Sequence, residues 1–376
     1  MSKKKKIRVE LRKNRYRPPR EKDWTRRYLQ AELDSDQVSG AERVRARGEL
    51  SRRRTLVTDR PEAAGVPAPM PAVDETTCRK GRVVRLHGLW CTVADEEGRQ
   101  YRCAVRRLLR TLATHERNIV VTGDRVWFRP VTTHEGMIER IEPRHGLLTR
   151  ASRHREHVIV ANVDQIVIVV SLREPELKPH LIDRFLVSAE QGHIAPVICL
   201  NKADLVDPAA YQTLIGIYSQ LHIPVLLTSA TTGWGIDRLR EILRGRQSVV
   251  CGQSGVGKSS LLNAVQPGLG LEVRSVSEAT EKGRHTTTTA SLIPLQIGGW
   301  VVDTPGIRQF ALWDILPQQL EGFFPEFRPY VALCRFPSCT HVHEEGCAVR
   351  RAVRRYRIAT QRYESYVGLF TGASPD

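Results

Sequence analysis

The segment VVCGQSGVGKSSLLNAV, residues 249–265, decides the fold, because it has the order of a strand, a glycine-rich loop and a helix. Gly252, Gly257, Lys258 and Ser259 fit the pattern Gly-x-x-x-x-Gly-Lys-Ser. Such a loop aims backbone N–H groups and the positive end of a helix dipole at one point, which suits a polyphosphate. We expect Lys258 to reach the outer phosphates and Ser259 to bind Mg²⁺. The predicted contact residues are Gly252, Gln253, Ser254, Gly255, Val256, Gly257, Lys258, Ser259 and Ser260.

A second apolar run, WVVDTPGI at residues 300–307, ends in a carboxylate and a glycine. Asp303 at the end of a strand can hold Mg²⁺ through water, and Gly306 can turn its N–H toward a terminal phosphate. We therefore predict both residues in the same site.

A third run, VICLNKADL at residues 197–205, carries the pattern Asn-Lys-Ala-Asp. The Asp204 carboxylate can accept two hydrogen bonds from guanine, a donor pair that adenine lacks. We expect the stem of Lys202 to pack along the base and Asn201 to brace the loop. In LLTSAT, residues 226–231, the backbone of the segment containing Ser229 and Ala230 is expected to contact the guanine carbonyl. These motifs predict a site that prefers guanine nucleotides.

The order of these motifs is unusual. The guanine motif at 201–204 and the Thr-Ser-Ala segment at 228–230 precede the phosphate loop at 252–259, whereas most GTPases have the phosphate loop first. A permuted chain can build the same site, because domain termini commonly lie close together at the surface. We predict a circularly permuted P-loop GTPase domain of the α/β class with a parallel sheet, since apolar runs alternate with helical patterns from 150 to 315.

A cluster of metal-binding residue types follows in LCRFPSCTHVHEEGCAVRRAV. Cys334, Cys339, His341 and Cys347 form Cys-x4-Cys-x-His-x5-Cys, which suits a closed tetrahedral zinc site of structural type. His343 is an alternative to His341. The remaining cysteines stand alone in strand-like segments and are interpreted as small buried hydrophobic residues: Cys78, Cys91, Cys103, Cys199 and Cys251.

The chain resembles the circularly permuted GTPases of late small-subunit assembly in bacteria, called the RsgA or YjeQ family. The resemblance covers roughly residues 76–360 and depends on the motif order, on KGRHTTTT at 282–289 and on the cysteine and histidine cluster. It implies three parts: an OB-fold β-barrel, the permuted GTPase domain and a C-terminal zinc-binding helical domain. It also implies His341 as the zinc ligand, GTP or GDP with Mg²⁺ as cofactors, and one structural Zn²⁺.

The resemblance further implies the roles of three residues between the phosphate loop and Asp303. His285 is the candidate that positions or activates water, and Thr286 or Thr287 would contact Mg²⁺ in the GTP state, with Thr287 the predicted ligand. His285 as a solvent-exposed loop histidine is the alternative. Ile307 stands where other GTPases often have a water-orienting glutamine, and it cannot polarise water. We expect slow intrinsic GTP hydrolysis that the small ribosomal subunit stimulates.

Composition sets the domain boundaries and the partners. A chain of 376 residues suggests two or three domains, and a net charge of +17 favours a polyanionic partner such as RNA. Residues 1–75 are rich in Lys and Arg and end in a Pro/Ala-rich linker, which indicates a disordered basic extension, either an RNA-contacting arm or a solubilising tail. We expect a short helix around residues 23–33. The other predicted parts are an RNA-binding barrel at 76–149, the GTPase domain at 150–315 and the zinc domain at 316–376.

Five short alternating segments between 76 and 150 predict the barrel. Its basic and aromatic residues could follow a phosphate backbone and stack on bases; they are Arg79, Lys80, Arg82, Arg85, Arg106, Arg107, Arg110, Trp90 and Tyr101.

The chain has no long apolar run and no signal-peptide core, so we expect a cytoplasmic monomer without a membrane partner. The predicted partners are the small ribosomal subunit and its rRNA. In one hypothesis, GTP hydrolysis times the release of an assembly factor. In the other, the protein is a GTP-gated RNA-binding module whose chemistry matters little. A small-molecule-linked GTPase, such as a cofactor chaperone, is a third class.

Overall fold

The computed structural model describes residues 5–10, 53–58, 71–88, 90–111, 119–152, 155–271, 290–303 and 317–372. Strands β1 (Lys5–Glu10) and β2 (Arg53–Thr58) pair antiparallel. The prediction of a disordered arm over residues 1–75 is therefore wrong for these two strands. The helix expected around residues 23–33 lies outside the described residues.

A closed five-stranded barrel follows, as predicted. Its strands are paired in the order β3-β4-β5-β7-β6, and β6 also pairs with β3, which closes the barrel. Only β5 and β7 are parallel, so the barrel is OB-like. Buried and exposed side chains alternate at the start of β5, and Val83, Val93, Phe128 and Ile138 of the barrel are completely buried. The elements are β3 (Arg79–His87), β4 (Trp90–Asp95), β5 (Gln100–Val105), α1 (Arg107–Thr111), β6 (Arg125–Pro130) and β7 (Glu135–Ile141).

The nucleotide-binding part is a sheet with helices on both faces. A hairpin of β8 and β9 precedes it, and its strand order is β12-β11-β10-β13-β15-β14, parallel except for β14. The elements are β8 (Leu148–Ser152), β9 (Arg155–Val160), β10 (Gln165–Ser171), α2 (Pro179–Gln191), β11 (Ala195–Asn201), α3 (Gln212–Ser219), β12 (Val225–Leu227), α4 (Ile236–Leu243), β13 (Gln247–Cys251), α5 (Lys258–Val265), β14 (Ser291–Pro294) and β15 (Trp300–Asp303).

Strand β10 shows why this sheet has two covered faces. All seven of its residues are buried, which is typical of a central parallel strand. Ile166 and Ile168 pack with α2 and α3, whereas Val167 and Val169 pack with α4 and α5. From β10 the chain continues to β11 on one side, while β13 lies on the other side. The carboxyl ends of β10 and β13 therefore form the crevice in which open α/β sheets bind ligands.

The barrel joins this sheet at the outer edge of β14. Ser291 of β14 lies opposite Arg85 of β3, and the Thr122 hydroxyl donates to the carbonyl of Ala290 at 3.0 Å. Arg82 donates from Nη1 to Oε1 of Gln247 at 2.6 Å. The β8–β9 hairpin spans the boundary predicted between residues 149 and 150.

The C-terminal part is a small helical unit. Its core contains Phe324, Phe327 and Tyr366 together with Val187, which belongs to α2 of the nucleotide-binding part. A helix packed on the central α/β sheet therefore completes the hydrophobic core of the C-terminal unit. The elements are 3₁₀ helices at Pro317–Phe323 and Pro325–Phe327, then α6 (Arg328–Val331), α7 (Ala348–Arg354) and α8 (Thr360–Thr371).

The five isolated cysteines, Cys78, Cys91, Cys103, Cys199 and Cys251, are all buried free thiols, as predicted. Burial raises the pKa of Cys199 to about 12, so this thiol stays neutral. None of the helices in the described ranges combines the length and the apolar character that a membrane span requires.

Candidate nucleotide site and metal centre

The glycine loop between β13 and α5 needs its glycines. Gly252, Gly255 and Gly257 have φ values of 142°, 81° and 92°, which residues other than glycine rarely adopt. A Cβ at Gly252 would lie 2.0 Å from the carbonyl oxygen of Val169, and one at Gly257 would lie 2.4 Å from Nδ2 of Asn201. The loop is thus packed tightly against β10 and β11, and its other side faces the crevice.

Lys258 and the first turn of α5 complete this loop. The Lys258 ammonium donates to the carbonyls of Gly252 at 2.9 Å and of Gln253 at 2.7 Å, so the side chain folds back over the loop. The N-cap residue of α5 is Gly257, which has no side chain with which to cap the N–H groups of the first turn. Ser259 and Ser260 are half-buried in this turn. Positive charge and N–H groups therefore converge where an anion can bind.

The remaining loop residues divide between surface and core. Gln253 and Ser254 are exposed, and Gly255 is half-buried. Val256 is 1% exposed and packs with Leu261 beneath α5. Burial of Val256 fixes the loop to the hydrophobic core, while the exposed residues form its rim.

The predicted guanine motif follows the end of β11. Lys202 adopts a left-handed conformation with φ of 60°, and its ammonium donates to the carbonyl of Glu174. Asp204 lies in a short 3₁₀ helix, Ala203–Leu205, and is exposed. The left-handed residue turns the chain sharply after the strand, so the Asp204 carboxylate is accessible to a ligand.

Asn201 connects the predicted motifs. Its Nδ2 donates to the carbonyl of Val256 at 2.7 Å, and its Oδ1 accepts from the Thr228 hydroxyl at 3.3 Å. Ser229 is completely buried, and its N–H donates to the carbonyl of Trp234 at 2.9 Å. Ala230, which follows it, is half-buried. The structure therefore brings the Asn-Lys-Ala-Asp motif, the Thr-Ser-Ala segment and the glycine loop together at one edge of the sheet.

The other predicted nucleotide contacts are only partly described. Asp303 is the last residue of β15, next to Val302, which lies opposite Val249 of the parallel strand β13. Its backbone therefore ends at the same sheet edge as the glycine loop. Gly306, His285, Thr286 and Thr287 lie outside the described residues.

The predicted metal ligands form a compact cluster. One ligand atom from each of Cys334, Cys339, His341 and Cys347 lies within 4.8 Å of the others. Nδ1 of His341 is 3.6 Å from Sγ of Cys334 and 3.4 Å from Sγ of Cys347, and these two sulfurs are 3.9 Å apart. The alternative ligand, His343, is exposed. Geometry therefore favours His341.

These distances fit zinc. With Zn–S of about 2.3 Å and Zn–N of about 2.0 Å, a tetrahedron separates two sulfurs by roughly 3.8 Å and nitrogen from sulfur by roughly 3.5 Å. The N–H of Ala348 donates to Cys334 at 3.3 Å and that of Arg350 to Cys347 at 3.4 Å, which stabilises thiolates. Burial raises the pKa of Cys339 to about 12, so metal binding there would release a proton.

One contact of the nucleotide site had no signal in the sequence pattern, and one barrel residue was assigned wrongly. Lys202 contacts the carbonyl of Glu174, and Glu174 belongs to none of the motifs identified in the sequence. Tyr101, proposed from sequence to stack on bases, is 5% exposed and packs on Phe128 with ring centroids 5.0 Å apart, so that prediction is wrong. Its position in an alternating strand, Gln100–Val105, was the signal that could have placed it in the barrel core.

Together, the strand order, the glycine loop at the crevice and a guanine-type motif that precedes it define a P-loop nucleotide-binding protein with permuted motifs. The sequence model of the RsgA GTPase family matches residues 141–313. The small ribosomal subunit biogenesis GTPase RsgA of Thermotoga petrophila is 44% identical over 297 residues, which cover 78% of this chain and 96% of that protein. This chain belongs to the RsgA GTPase family, as predicted.

Other comparisons agree. The RsgA protein of Sodalis glossinidius is 42% identical over 302 residues, covering 78% of this chain and 85% of that protein. The crystal structure of YjeQ from Thermotoga maritima matches with a TM-score of 0.66 and 40% identity, covering 80% of this chain and 99% of that chain. The crystal structure of YloQ, a circularly permuted GTPase, matches with a TM-score of 0.63 and 28% identity, covering 81% of this chain and 100% of that chain. The permuted GTPase fold predicted from the motif order is confirmed.

Proposed function

We propose that this protein is a GTPase that binds the small ribosomal subunit and couples GTP hydrolysis to late maturation of the subunit and to its own release. The contact that supports this most directly is the hydrogen bond from Asn201 to the carbonyl of Val256, at 2.7 Å, which joins the guanine motif to the phosphate loop. The relatives that this chain matches over 96% and 85% of their length are named small ribosomal subunit biogenesis GTPases. The chemistry of this site and these names indicate the same function.

Some of the proposed roles in the nucleotide site follow from the residue types, and those of His285, Thr286 and Thr287 follow from the family resemblance. Asp204 accepts hydrogen bonds from guanine, and Lys258 moves from its loop carbonyls to the outer phosphates of GTP or GDP. Ser259 and Thr287 would hold Mg²⁺, with Asp303 contributing through water, and Gly306 would contact the terminal phosphate. His285 positions the attacking water, and Thr286 is the alternative threonine ligand. Mg²⁺, when bound, neutralises charge that develops on the phosphates.

The barrel is proposed to be an OB-fold that contacts rRNA. Lys80, Arg85 and Arg107 are exposed, and so is Arg79, although it donates to the Tyr101 hydroxyl at 3.0 Å. Arg82 and Arg106 have partners within the protein, the first Gln247 and the second Glu139 at 2.8 Å. The exposed basic residues therefore carry the proposed RNA contact. Trp90 is the candidate for stacking on a base, and the Arg102 guanidinium lies 4.4 Å from the centroid of its ring.

The C-terminal unit is proposed to hold one structural Zn²⁺ on Cys334, Cys339, His341 and Cys347. We also propose the division into a basic extension at 1–75, the barrel at 76–149, the GTPase domain at 150–315 and the zinc domain at 316–376. On this proposal the protein acts as a cytoplasmic monomer with rRNA as its contact surface on the subunit.

A comparison of GTP turnover with and without purified small subunits tests the proposal. We expect slow turnover alone and a large stimulation by small subunits, with purified large subunits as the matched control. The variant Lys258→Ala reports contaminating activity. Equal turnover in all three conditions, combined with GTP-dependent binding to small subunits, would favour the GTP-gated RNA-binding module. Absence of binding to small subunits would contradict both.

A further inference from the structure

A carboxylate contacts the side of the predicted zinc ligand that faces away from the cluster. Nε2 of His341 lies 2.7 Å from Oε2 of Glu321, a residue of the 3₁₀ helix Pro317–Phe323 that is 20 positions earlier in the chain. His341 is completely buried, whereas the side chain of Glu321 is 35% exposed. The imidazole thus lies between a carboxylate on one side and two thiols on the other.

This contact selects the tautomer of His341. A carboxylate accepts hydrogen bonds, so Nε2 carries the proton and Nδ1 keeps a free lone pair. Nδ1 is the atom that lies 3.4 Å and 3.6 Å from the sulfurs of Cys347 and Cys334. The lone pair therefore points at the position that a cation in this cluster would occupy.

Neighbouring residues fix the plane of the ring but not its tautomer. The rings of Phe327 and Tyr366 have their centroids 6.2 Å from that of His341, and the Tyr363 hydroxyl donates to its backbone carbonyl at 2.8 Å. None of these contacts is a hydrogen bond from Nε2. Among the described residues, Glu321 is the partner recorded for Nε2.

We propose that Glu321 is a positioning residue for the metal centre, holding His341 in the tautomer and orientation that present Nδ1 to the cluster. A carboxylate behind a metal-binding histidine fixes the tautomer and the ring orientation in proteins. The inference depends on the proposed zinc site. It also ties the metal to the 3₁₀ helix of Glu321, because Leu320 in that helix packs with Val187 of α2.

The test uses the full chain loaded with Zn²⁺ or with Co²⁺ as a spectroscopic probe. Affinity is measured by competition with a chromogenic chelator for the wild type, Glu321→Ala, Glu321→Gln and Glu345→Ala. Glu345 is an exposed carboxylate in the same unit and serves as the matched control. We expect roughly 10- to 100-fold weaker binding for Glu321→Ala. The affinity of Glu321→Gln is expected to lie between those of Glu321→Ala and the wild type, because an amide oxygen accepts a hydrogen bond from Nε2 but carries no charge. The affinity of Glu345→Ala is expected to match that of the wild type.

The absorption of bound Co²⁺ separates positioning from general destabilisation. We expect Glu321→Ala to change the d–d bands and Glu345→Ala to leave them unchanged. Affinities of both Glu321 variants within about twofold of the wild type, with an unchanged spectrum, would overturn the inference. If Glu321→Ala does not fold, Glu321→Gln decides by the same two measurements. A wild type that takes up no metal would contradict the zinc site itself.

Discussion

Arg362 of α8 donates from Nη1 to Oδ1 of Asp183 on α2 at 2.7 Å, although the two residues are 179 positions apart. Its Nε also donates to Oε1 of Glu326 at 2.6 Å, and the guanidinium lies 4.6 Å from the ring centroid of Phe324. Arg362 is 2% exposed and Asp183 is completely buried. Burial alone would lower the pKa of Arg362, but the two carboxylates outweigh it and raise the pKa, so the charge persists. This ion network fixes the C-terminal unit to the GTPase sheet.

Replacement of Arg362 by Met should therefore destabilise the protein strongly. The apolar side chain leaves Asp183 and Glu326 without their shared cation, and such a loss costs about 3–5 kcal/mol. Thermal and urea unfolding, followed by circular dichroism, measure the loss in the free energy of unfolding. Arg354→Met is the control, because Arg354 is exposed. Equal stability of the two variants would contradict a role of the network in holding the units together.

Loss of the phosphate contacts should abolish turnover. Lys258→Ala removes the ammonium that lies over the loop, and Ser259→Ala removes the proposed Mg²⁺ ligand, whereas Ser259→Thr keeps a hydroxyl. We expect no measurable GTP hydrolysis for the two alanine variants and substantial activity for Ser259→Thr. The exposed Arg238→Ala on α4 is the control. Normal turnover in either alanine variant would refute the assignment of this loop.

Asp204→Asn should change base preference. The new amide can donate to the additional carbonyl of xanthine, whereas it no longer accepts two hydrogen bonds from guanine. Competition binding of GTP and xanthosine triphosphate checks the change, and we expect weaker GTP and stronger xanthosine triphosphate binding. The neighbouring Asp207→Asn is the control, since the Asp207 side chain accepts from the N–H of Ala209 at 3.0 Å. A variant that still prefers GTP would contradict the guanine assignment.

His285→Ala tests whether His285 acts in hydrolysis. If His285 orients water, GTP affinity should remain nearly unchanged while the rate stimulated by small subunits falls about 100-fold or more. The variant should stay bound to subunits when GTP is supplied, which sedimentation can measure. Normal stimulated turnover would transfer the role to another residue or to the RNA, and the GTPase assignment would remain.

The sequence predicted the parts of the protein that depend on local patterns. The motif Gly-x-x-x-x-Gly-Lys-Ser requires a strand and a helix around it, and both are present, as β13 and α5. The spacing of Cys334, Cys339, His341 and Cys347 similarly predicted the cluster. Contacts between distant segments were not predictable, because nothing in the local pattern of Arg362 or Glu321 identifies Asp183 or His341 as a partner. Tyr101 was misplaced because its aromatic character was weighed above the alternation of its strand.

The attachment of the barrel at β14 has a consequence for solubility. In the GTPase sheet β14 is the last strand, and its outer edge pairs with β3 of the barrel at one position, where Ser291 lies opposite Arg85. An uncovered edge strand offers unpaired N–H and C=O groups to a second molecule. A chain shortened to residues 143–376, which keeps the β8–β9 hairpin, should therefore self-associate. Size-exclusion chromatography would detect this, and a monomeric fragment would contradict it. The barrel thus limits pairing of this sheet with copies of itself at the β14 edge.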